Sequence, residues 1–527
     1  MSEPERPNPL VRALPVASVG AAIVGWALVV HMPVNPPLID VTLYTVYVLA
    51  YFFVLVVLIG AVGVLAPRWP GDVPFPRWLG TAMSLATPLV LLFYAAGRVA
   101  PLLASGAEVE VPERQPAACR VTLLGLDGVD PREVERRVAA GTLPGFARLI
   151  EGGAFGPMAV VSPHSPLNWT TIATGHPPEE HGVLAYLSVY LRGTSVQLPF
   201  VPWDVVGLVL DGVFRFRQPG AISSNYRRVK AMWELFGEYG LNPLVVNWWA
   251  SYPAEPVDGI VVSNQAIPWG GLRTQDLELL AETSSIVWPP EEEALVRDRV
   301  QTMASEMTGP EVVRMIEAEQ GAEYFWARDR IVRDLFDRLS RPEQDFRAVY
   351  FQGVDVASHV WTSLVFGENI DEVRDPVVPP AEVERLRAAF VDEAYARIDR
   401  LVADRLDRLE DDRCLVVVSD HGWDYDGTSH WGFVDAIFAG YGPAFQPGVR
   451  IDDAHMLDVL PTVAALLGLP GSDELPGKVL QSAMASDRVG ISSIVPSYGP
   501  RGATMSVTAG GDDAEHVELL RQLGYVD

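Results

Sequence analysis

The stretch "CLVVVSDHGW", residues 414–423, carries four successive apolar residues, Leu415 to Val418, straight into an acid and an imidazole, Asp420 and His421. An unbroken apolar run of this length reads as a buried central strand, and such strands belong to sheets covered on both faces. The polar pair then stands at the strand's carboxyl end, where open parallel α/β sheets bind ligands. Other stretches repeat the pattern. "RVTLLGLDGVD" gives a strand over Val121 to Leu126 that ends in Asp127 and a glycine turn, and "REVERRVAAGTLPGFARLI" behind it has helical periodicity. Further strands are expected at Pro243 to Asn247, Ala348 to Phe351 and Val434 to Phe438, with helical patterns between them, clearest over Ala381 to Leu409. Strands alternating with helices predict an α/β fold with a mostly parallel central sheet flanked by helices.

The chain is longer than this body needs. Residues 14–30, 41–66 and 79–97 are nearly free of charge and each is about the ~20 residues that a bilayer-spanning helix requires. Three transmembrane helices are expected; a signal peptide followed by core helices fits less well, because three runs come in succession. Arg6 and Arg12 precede the first run, Arg68 and Arg77 separate the second from the third, and residues 31–40 hold no Lys or Arg. The positive-inside rule puts the amino terminus in the cytoplasm and everything after Gly97 outside it, with Arg98 counting against. Residues 104–118 read as a linker, 119–485 as the catalytic domain, 184–226 and 264–345 as insertions capping the sheet's carboxyl edge, and 486–527 as a mobile Gly- and Ser-containing tail. A net charge of −27 excludes nucleic acid as a bulk partner, since phosphate binding needs a basic face. Cys119 and Cys414 each open an apolar run and read as buried thiols, with a disulfide between neighbouring strands left open.

The strand ends gather chemistry. Asp127 closes the first strand, Asp355 and His359 follow "AVYFQG", and Asp420, His421 and His430 follow the strand quoted first. Asp355 and His359 share one face if their segment is helical. Carboxylates and imidazoles suit zinc or another divalent transition metal, and six of them exceed one tetrahedral ion, so two ions about 3.5 to 4 Å apart are expected. Burying the set without cations would be very unfavourable. In "HSPLNWTTIATG", Ser165 before Pro166 fits a helix N-cap. A hydroxyl there is also a candidate nucleophile, activated by the helix's positive end and by a metal. Asn168, one turn along, is a candidate donor to a phosphate oxygen. Arg227, Arg228 and Lys230 read as a cationic helix surface rather than an anion site, and Trp248 and Trp249 as core.

With these residues collected, the sequence resembles the alkaline phosphatase superfamily, and within it the type I phosphodiesterase and nucleotide pyrophosphatase family. The likeness runs from Val121 to Leu469 and rests on the ordered series "LLGLDGVD", "SPLNWTTIATGHPPEEHGV", "FQGVDVASH", "VVVSDHGW", "GTSHWGF" and "MLDVLPTVAALLGLP". It implies two zinc ions, with manganese as the alternative. One would be held by Asp127, Asp420, His421 and the nucleophile Ser165, the other by Asp355, His359 and a further histidine. His430 is favoured for the last place, with His455 as the fallback. It also implies in-line attack by Ser165 and a phosphoryl-Ser intermediate that water hydrolyses. Many relatives carry Thr at the nucleophile, and either hydroxyl serves. His181 matches a position taken as structural; His164 and His176 are unassigned. The expected partners are a phosphorylated small-molecule or lipid substrate and the bilayer itself. Transfer of a phospho-group between lipid or glycan headgroups, and an inactive binding relative, are the alternatives. A sulfatase is disfavoured because Ser165 to Trp169 lacks the C/S-x-P-x-R pattern.

Overall fold

The computed structural model describes residues 114–191, 197–198, 217–267, 280–281, 283–307, 326–367, 375–425, 433–485, 489 and 493–502. The three apolar stretches at 14–30, 41–66 and 79–97 lie outside these residues, and among the described residues no helix is long and apolar enough to cross a membrane. The chain divides into two units, Met1–Glu110 with Ser188–Pro219, and Val111–Leu187 with Gly220–Asp527. Around the insertion expected at 184–226, the strands Leu187–Leu191, Gln197–Leu198 and Arg217–Ala221 form a three-stranded sheet with the first at its centre.

The second unit is organised by a ten-stranded sheet. Its strands are β1 Arg120–Leu126, β2 Gly153–Ala159, β3 Pro243–Val246, β4 Ile260–Val262, β5 Val287–Trp288, β6 Phe346–Phe351, β7 Arg413–Val418, β8 Ala436–Tyr441, β9 Val449–Arg450 and β10 Ala454–His455. They lie in the order β9-β2-β8-β7-β1-β6-β3-β4-β5, with β10 also on β2. From β7 through β1, β6 and β3 to β4 every pairing is parallel. The exceptions are β8, antiparallel to both β7 and β2, and β5, antiparallel to β4. Each strand expected from the sequence is present, displaced by at most three residues at its ends.

The central strands are continuous apolar runs because both their faces are covered. Leu124, Leu126, Val349, Phe351, Leu415 and Val417 join Phe146, Ile331, Trp361 and Val402 on one face. Val121, Leu123, Ala348, Tyr350, Val416 and Val418 join Ile172, Trp233 and Val463 on the other. Each Val or Leu so buried contributes about 1.5–3 kcal/mol relative to exposure. The first face is covered by α1 Pro131–Ala139, α2 Pro144–Gly152 and further helices, the second by α3 Ser165–Thr174 and others.

Four features differ from the sequence reading. The long helix expected at Ala381 to Leu409 is two helices, Pro380–Arg387 and Glu393–Asp407, joined by a π-helical turn over Ala388–Asp392. The two cysteines are not free thiols: Cys119 and Cys414 form a disulfide, with Cα atoms 5.8 Å apart at the amino ends of β1 and β7. Residues 114–118 are tied down, since Gln115 N donates to Gly468 O and Ala118 N to Leu466 O. Arg227 is no surface cation but lies in a buried cluster with Glu234, Glu255 and Arg501, the last from the segment read as a mobile tail.

Candidate active site

Three neighbouring strands deliver their polar ends to one place, because β7, β1 and β6 are parallel and in register. Asp127 follows β1, and its N–H donates to Phe351 O of β6. The next residue, Gly128, has φ +73°, and a Cβ there would lie 2.9 Å from Asp355 Cα, so the turn can only be glycine. Asp127 Oδ2 accepts from Trp169 Nε1 at 3.2 Å and from Tyr350 Oη at 2.5 Å. Trp169 reaches it across Gly125, where a Cβ would meet the indole at 2.7 Å.

After β6, the helix α4 Gly353–Phe366 places Asp355 and His359 one turn apart as the spacing predicts, with His359 Nε2 3.6 Å from Asp355 Oδ1. Its start is held by Asp329, whose carboxylate accepts from Gln352 N and Gly353 N at 3.1 and 3.0 Å. Burial pushes Asp329 up to about 6 despite these bonds. After β7 come Asp420 and His421, both fully buried.

His421 is the centre of the arrangement. Its Nε2 lies 3.2 Å from Ser165 Oγ, 3.3 Å from Asp127 Oδ1, 3.4 Å from Asp420 Oδ2 and 3.7 Å from Asp355 Oδ1. Its Nδ1 is 3.0 Å from Gly422 O, a carbonyl that can only accept, so Nδ1 carries a proton. In the neutral ring, Nε2 would then aim a lone pair at three carboxylates. In the absence of a cation the ring must take the charge itself: although burial works the other way, Asp420, Asp127 and Asp355 push His421 up to about 10. Burial and the neighbouring Asp127 raise Asp420 well above the usual carboxylate range. Burial also acts to raise Asp127, but hydrogen bonding and charge from His421 outweigh it and hold the group low. His359 is driven down to about 3 by burial and by His421, which leaves it neutral.

This donor set suits a metal. Ligand atoms of Asp127, Asp355 and His421 lie within 4.8 Å of one another. Asp127 Oδ1 and Asp420 Oδ2 are buried and face only the His421 ring at 3.3 and 3.4 Å, and such oxygens are ones that a cation would satisfy.

Ser165 opens α3, a ten-residue helix, at its first helical position; the N-cap expected there falls instead to His164. Ser165 N donates to Tyr186 Oη at 3.2 Å. Asn168 donates its amide to Ser162 O at 2.6 Å and to Asp420 O at 2.8 Å, so donation to a phosphate oxygen would require one of these bonds to open. His181 is buried against Thr171 Oγ1 and Val183 N, and His176 pairs with Glu180. His430 lies outside the described residues. His455, in β10, accepts from Leu457 N through Nδ1. Three residues beside the site went unread in the sequence: Trp169, Tyr350 and Tyr186. The first two carried a signal, since a buried indole or phenol seeks a polar partner; Tyr186 carried none.

Comparison with known families matches residues 121–464, and so all of these strands and helices, to the type I phosphodiesterase / nucleotide pyrophosphatase family. The chain belongs to that family. It is therefore a hydrolase of phosphoric ester bonds, from a metal-dependent family that acts on phosphorylated small molecules and sits within the alkaline phosphatase superfamily. No curated protein matches the chain. Among solved structures, a candidate sulfatase from Bacteroides thetaiotaomicron VPI-5482 is similar at 13% identity and TM-score 0.39, over 69% of this chain and 74% of that one. Nothing about activity follows from so low a score.

Proposed function

We propose that the enzyme is a membrane-anchored, metal-dependent phosphohydrolase that cleaves phosphodiester or pyrophosphate bonds through a phosphoryl-Ser165 intermediate. The observation that carries this reading is the position of Ser165 Oγ, 3.2 Å from His421 Nε2 at the edge of the carboxylate cluster and at the amino end of a helix. Asp127, Asp420 and His421, with Ser165, would hold one cation; Asp355 and His359, with His430 or His455, would hold a second. Zinc fits these oxygen and imidazole donors, and manganese is the alternative. Two such cations would lower the hydroxyl's pKa and stabilise charge on the attacking and leaving oxygens.

The chain's own residues account for the rest. Ser165 Oγ bonds to phosphorus while the bond from phosphorus to the leaving oxygen breaks in line, and the proton given up by Oγ passes through solvent to that leaving oxygen. Water then cleaves the Oγ–P bond and restores the hydroxyl. The helix dipole of α3 favours the alkoxide and the incoming anion. Trp169 and Tyr350 fix Asp127 through neutral donors, so orientation is secured without loss of its charge.

The three apolar stretches near the amino terminus support an integral, multi-pass membrane protein. The Cys119–Cys414 disulfide supports an oxidising, extracytoplasmic setting for the catalytic unit. The decisive experiment compares full-length wild type with Ser165→Ala on an aryl phosphodiester, its monoester and the sulfate ester, with metal content measured alongside. Diester turnover lost in the variant supports the reading. Turnover indifferent to Ser165, or a protein that binds no divalent metal, refutes it. Product that forms only when a lipid or glycan acceptor is present would replace hydrolysis by transfer.

A further inference from the structure

Attack by Ser165 leaves open which protein group holds the non-bridging oxygens of the phosphoryl group. Asn168 is the obvious candidate by sequence, but both N–H groups of its amide are spent on the carbonyls of Ser162 and Asp420. That orientation is forced, because only the nitrogen end can serve two carbonyl oxygens; what remains, Oδ1, is an acceptor. Asn168 ties the Ser165 loop to the end of β7, and it has no donor left for phosphate.

Another donor stands beside the nucleophile. Tyr186 is buried, 4% exposed, and its hydroxyl oxygen accepts the Ser165 N–H at 3.2 Å. That amide opens the first turn of α3; unlike those of Leu167 and Asn168, which donate to His164 O, it has no helical acceptor and is the natural seat of an incoming oxyanion. In the free enzyme the phenol therefore occupies the seat. Its ring is fixed by edge-on contacts to His164, centroids 5.4 Å apart, and to Trp249, 6.4 Å apart. The segment before it is anchored too: Gly182, at φ +84°, packs where a Cβ would lie 2.8 Å from Tyr226 O, and the His181 ring accepts from Val183 N.

We propose that Tyr186 is a catalytic residue whose hydroxyl donates to a non-bridging oxygen of the phosphoryl group on Ser165, taking the part that the sequence suggested for Asn168. This rests on the phosphoryl-Ser165 reading above. Bond formation to Oγ carries the non-bridging oxygens into reach of groups that already touch Ser165, and Tyr186 is such a group. As an oxygen displaces the phenol from the Ser165 N–H, the hydroxyl proton turns to that same oxygen, so one oxygen receives both donors. No proton changes hands.

The test is Tyr186→Phe in the full-length, metal-loaded enzyme, using an aryl phosphodiester and the two diastereomers of its phosphorothioate analogue. Loss of one well-placed oxyanion donor lowers kcat/KM by about a hundredfold, mostly in kcat. The ratio of rates for the two diastereomers, which is independent of how much protein folds, should change by about tenfold. A kcat/KM within about threefold of wild type overturns the proposal. So does a lower rate with an unchanged diastereomer ratio, because that pattern describes a packing role. Failure of the underlying reading is separate: there, wild type itself would show turnover that Ser165→Ala does not remove.

Discussion

Arg501→Met should destabilise the catalytic unit by about 3–5 kcal/mol, the cost of breaking one leg of a buried charge cluster. Arg501 donates to Glu234 Oε1 at 2.9 Å, Glu255 Oε1 at 2.7 Å, Ser224 O at 2.6 Å and Arg227 O at 2.8 Å. Its side chain is 3% exposed and that of Arg227 is 0%. Two arginines and two glutamates balance in charge. Burial works to raise Glu234, but Arg227 and Arg501 bring it from 4.5 down to about 2, a gain of about 3 kcal/mol. Burial and the neighbouring Arg501 lower Arg227 from 12.5 to about 10, a cost of about the same size. Removal of Arg501 leaves Glu255 and Glu234 short of a counter-charge. The sign with pH follows from Glu234: its depressed value stabilises the fold above about pH 4.5, and that stability is lost as pH falls towards 2. Without Arg501 the carboxyl titrates higher, so acid unfolding should begin at higher pH. Urea unfolding at pH 7, an acid titration and limited proteolysis of residues 494–502 measure these effects, and Glu255→Gln added to Arg501→Met should cost less than the two singles summed. A single variant within about 0.5 kcal/mol of wild type, with no new protease site in the tail, would refute the reasoning.

Gly125→Ala puts a Cβ 2.7 Å from the Trp169 indole, and should cost about 1–3 kcal/mol in thermal or urea unfolding while lowering bound metal, since Trp169 orients Asp127. Replacing both Cys119 and Cys414 with Ala should destabilise by about 2–5 kcal/mol and leave kcat nearly unchanged, because the bridge lies at the amino edge of the sheet, away from the site; non-reducing peptide mapping of wild type should recover the linked pair. Chelation should abolish diester hydrolysis, and metal return should release protons from His421, which stands at about 10 without a cation, and from Asp420, whose value is raised; affinity then rises with pH from 7 towards 10, and calorimetry in buffers of different ionisation enthalpy counts the protons.

The central strands were legible because burial on both faces leaves only apolar residues in them, and a charged residue at the end of such a run marks the edge. Asp127, Asp420 and His421 were found that way, and Asp355 with His359 by helical spacing. What the sequence hid depends on pairings between distant residues. Cys119 and Cys414 face each other only through the register that sets Val121 beside Cys414, and neither apolar run announces its partner. Arg227 looked like a surface cation because its neighbours Arg228 and Lys230 are polar too. Its counter-charges come from Glu234 and Glu255, and Arg501 follows 274 residues later. The tail's glycines and serines suggested mobility, and that single buried arginine outweighs them. Ser165 lost its expected cap role because His164, extended at φ −107° and ψ 120°, already fills the position before the helix.

The charge balance at the site gives the strongest physical reason for a cation there. Asp127, Asp355 and Asp420 are 2%, 1% and 0% exposed, and each brings an oxygen within 3.7 Å of the same imidazole nitrogen. Were all three ionised, a protonated His421 would leave two negative charges uncompensated, and a neutral one would leave three. Proton uptake by Asp420 eases the strain in the absence of metal, which is why its value is raised while Asp127 stays low. Apart from His421, the donors to Asp127 are an indole and a phenol, which orient a carboxylate without cancelling its charge. A site evolved for structural salt bridging would place an arginine there, as this protein does around Glu234 and Glu255. On the proposed reading the compensation would come from a metal ion, whose field the Ser165 hydroxyl, 3.2 Å from the same nitrogen, would share.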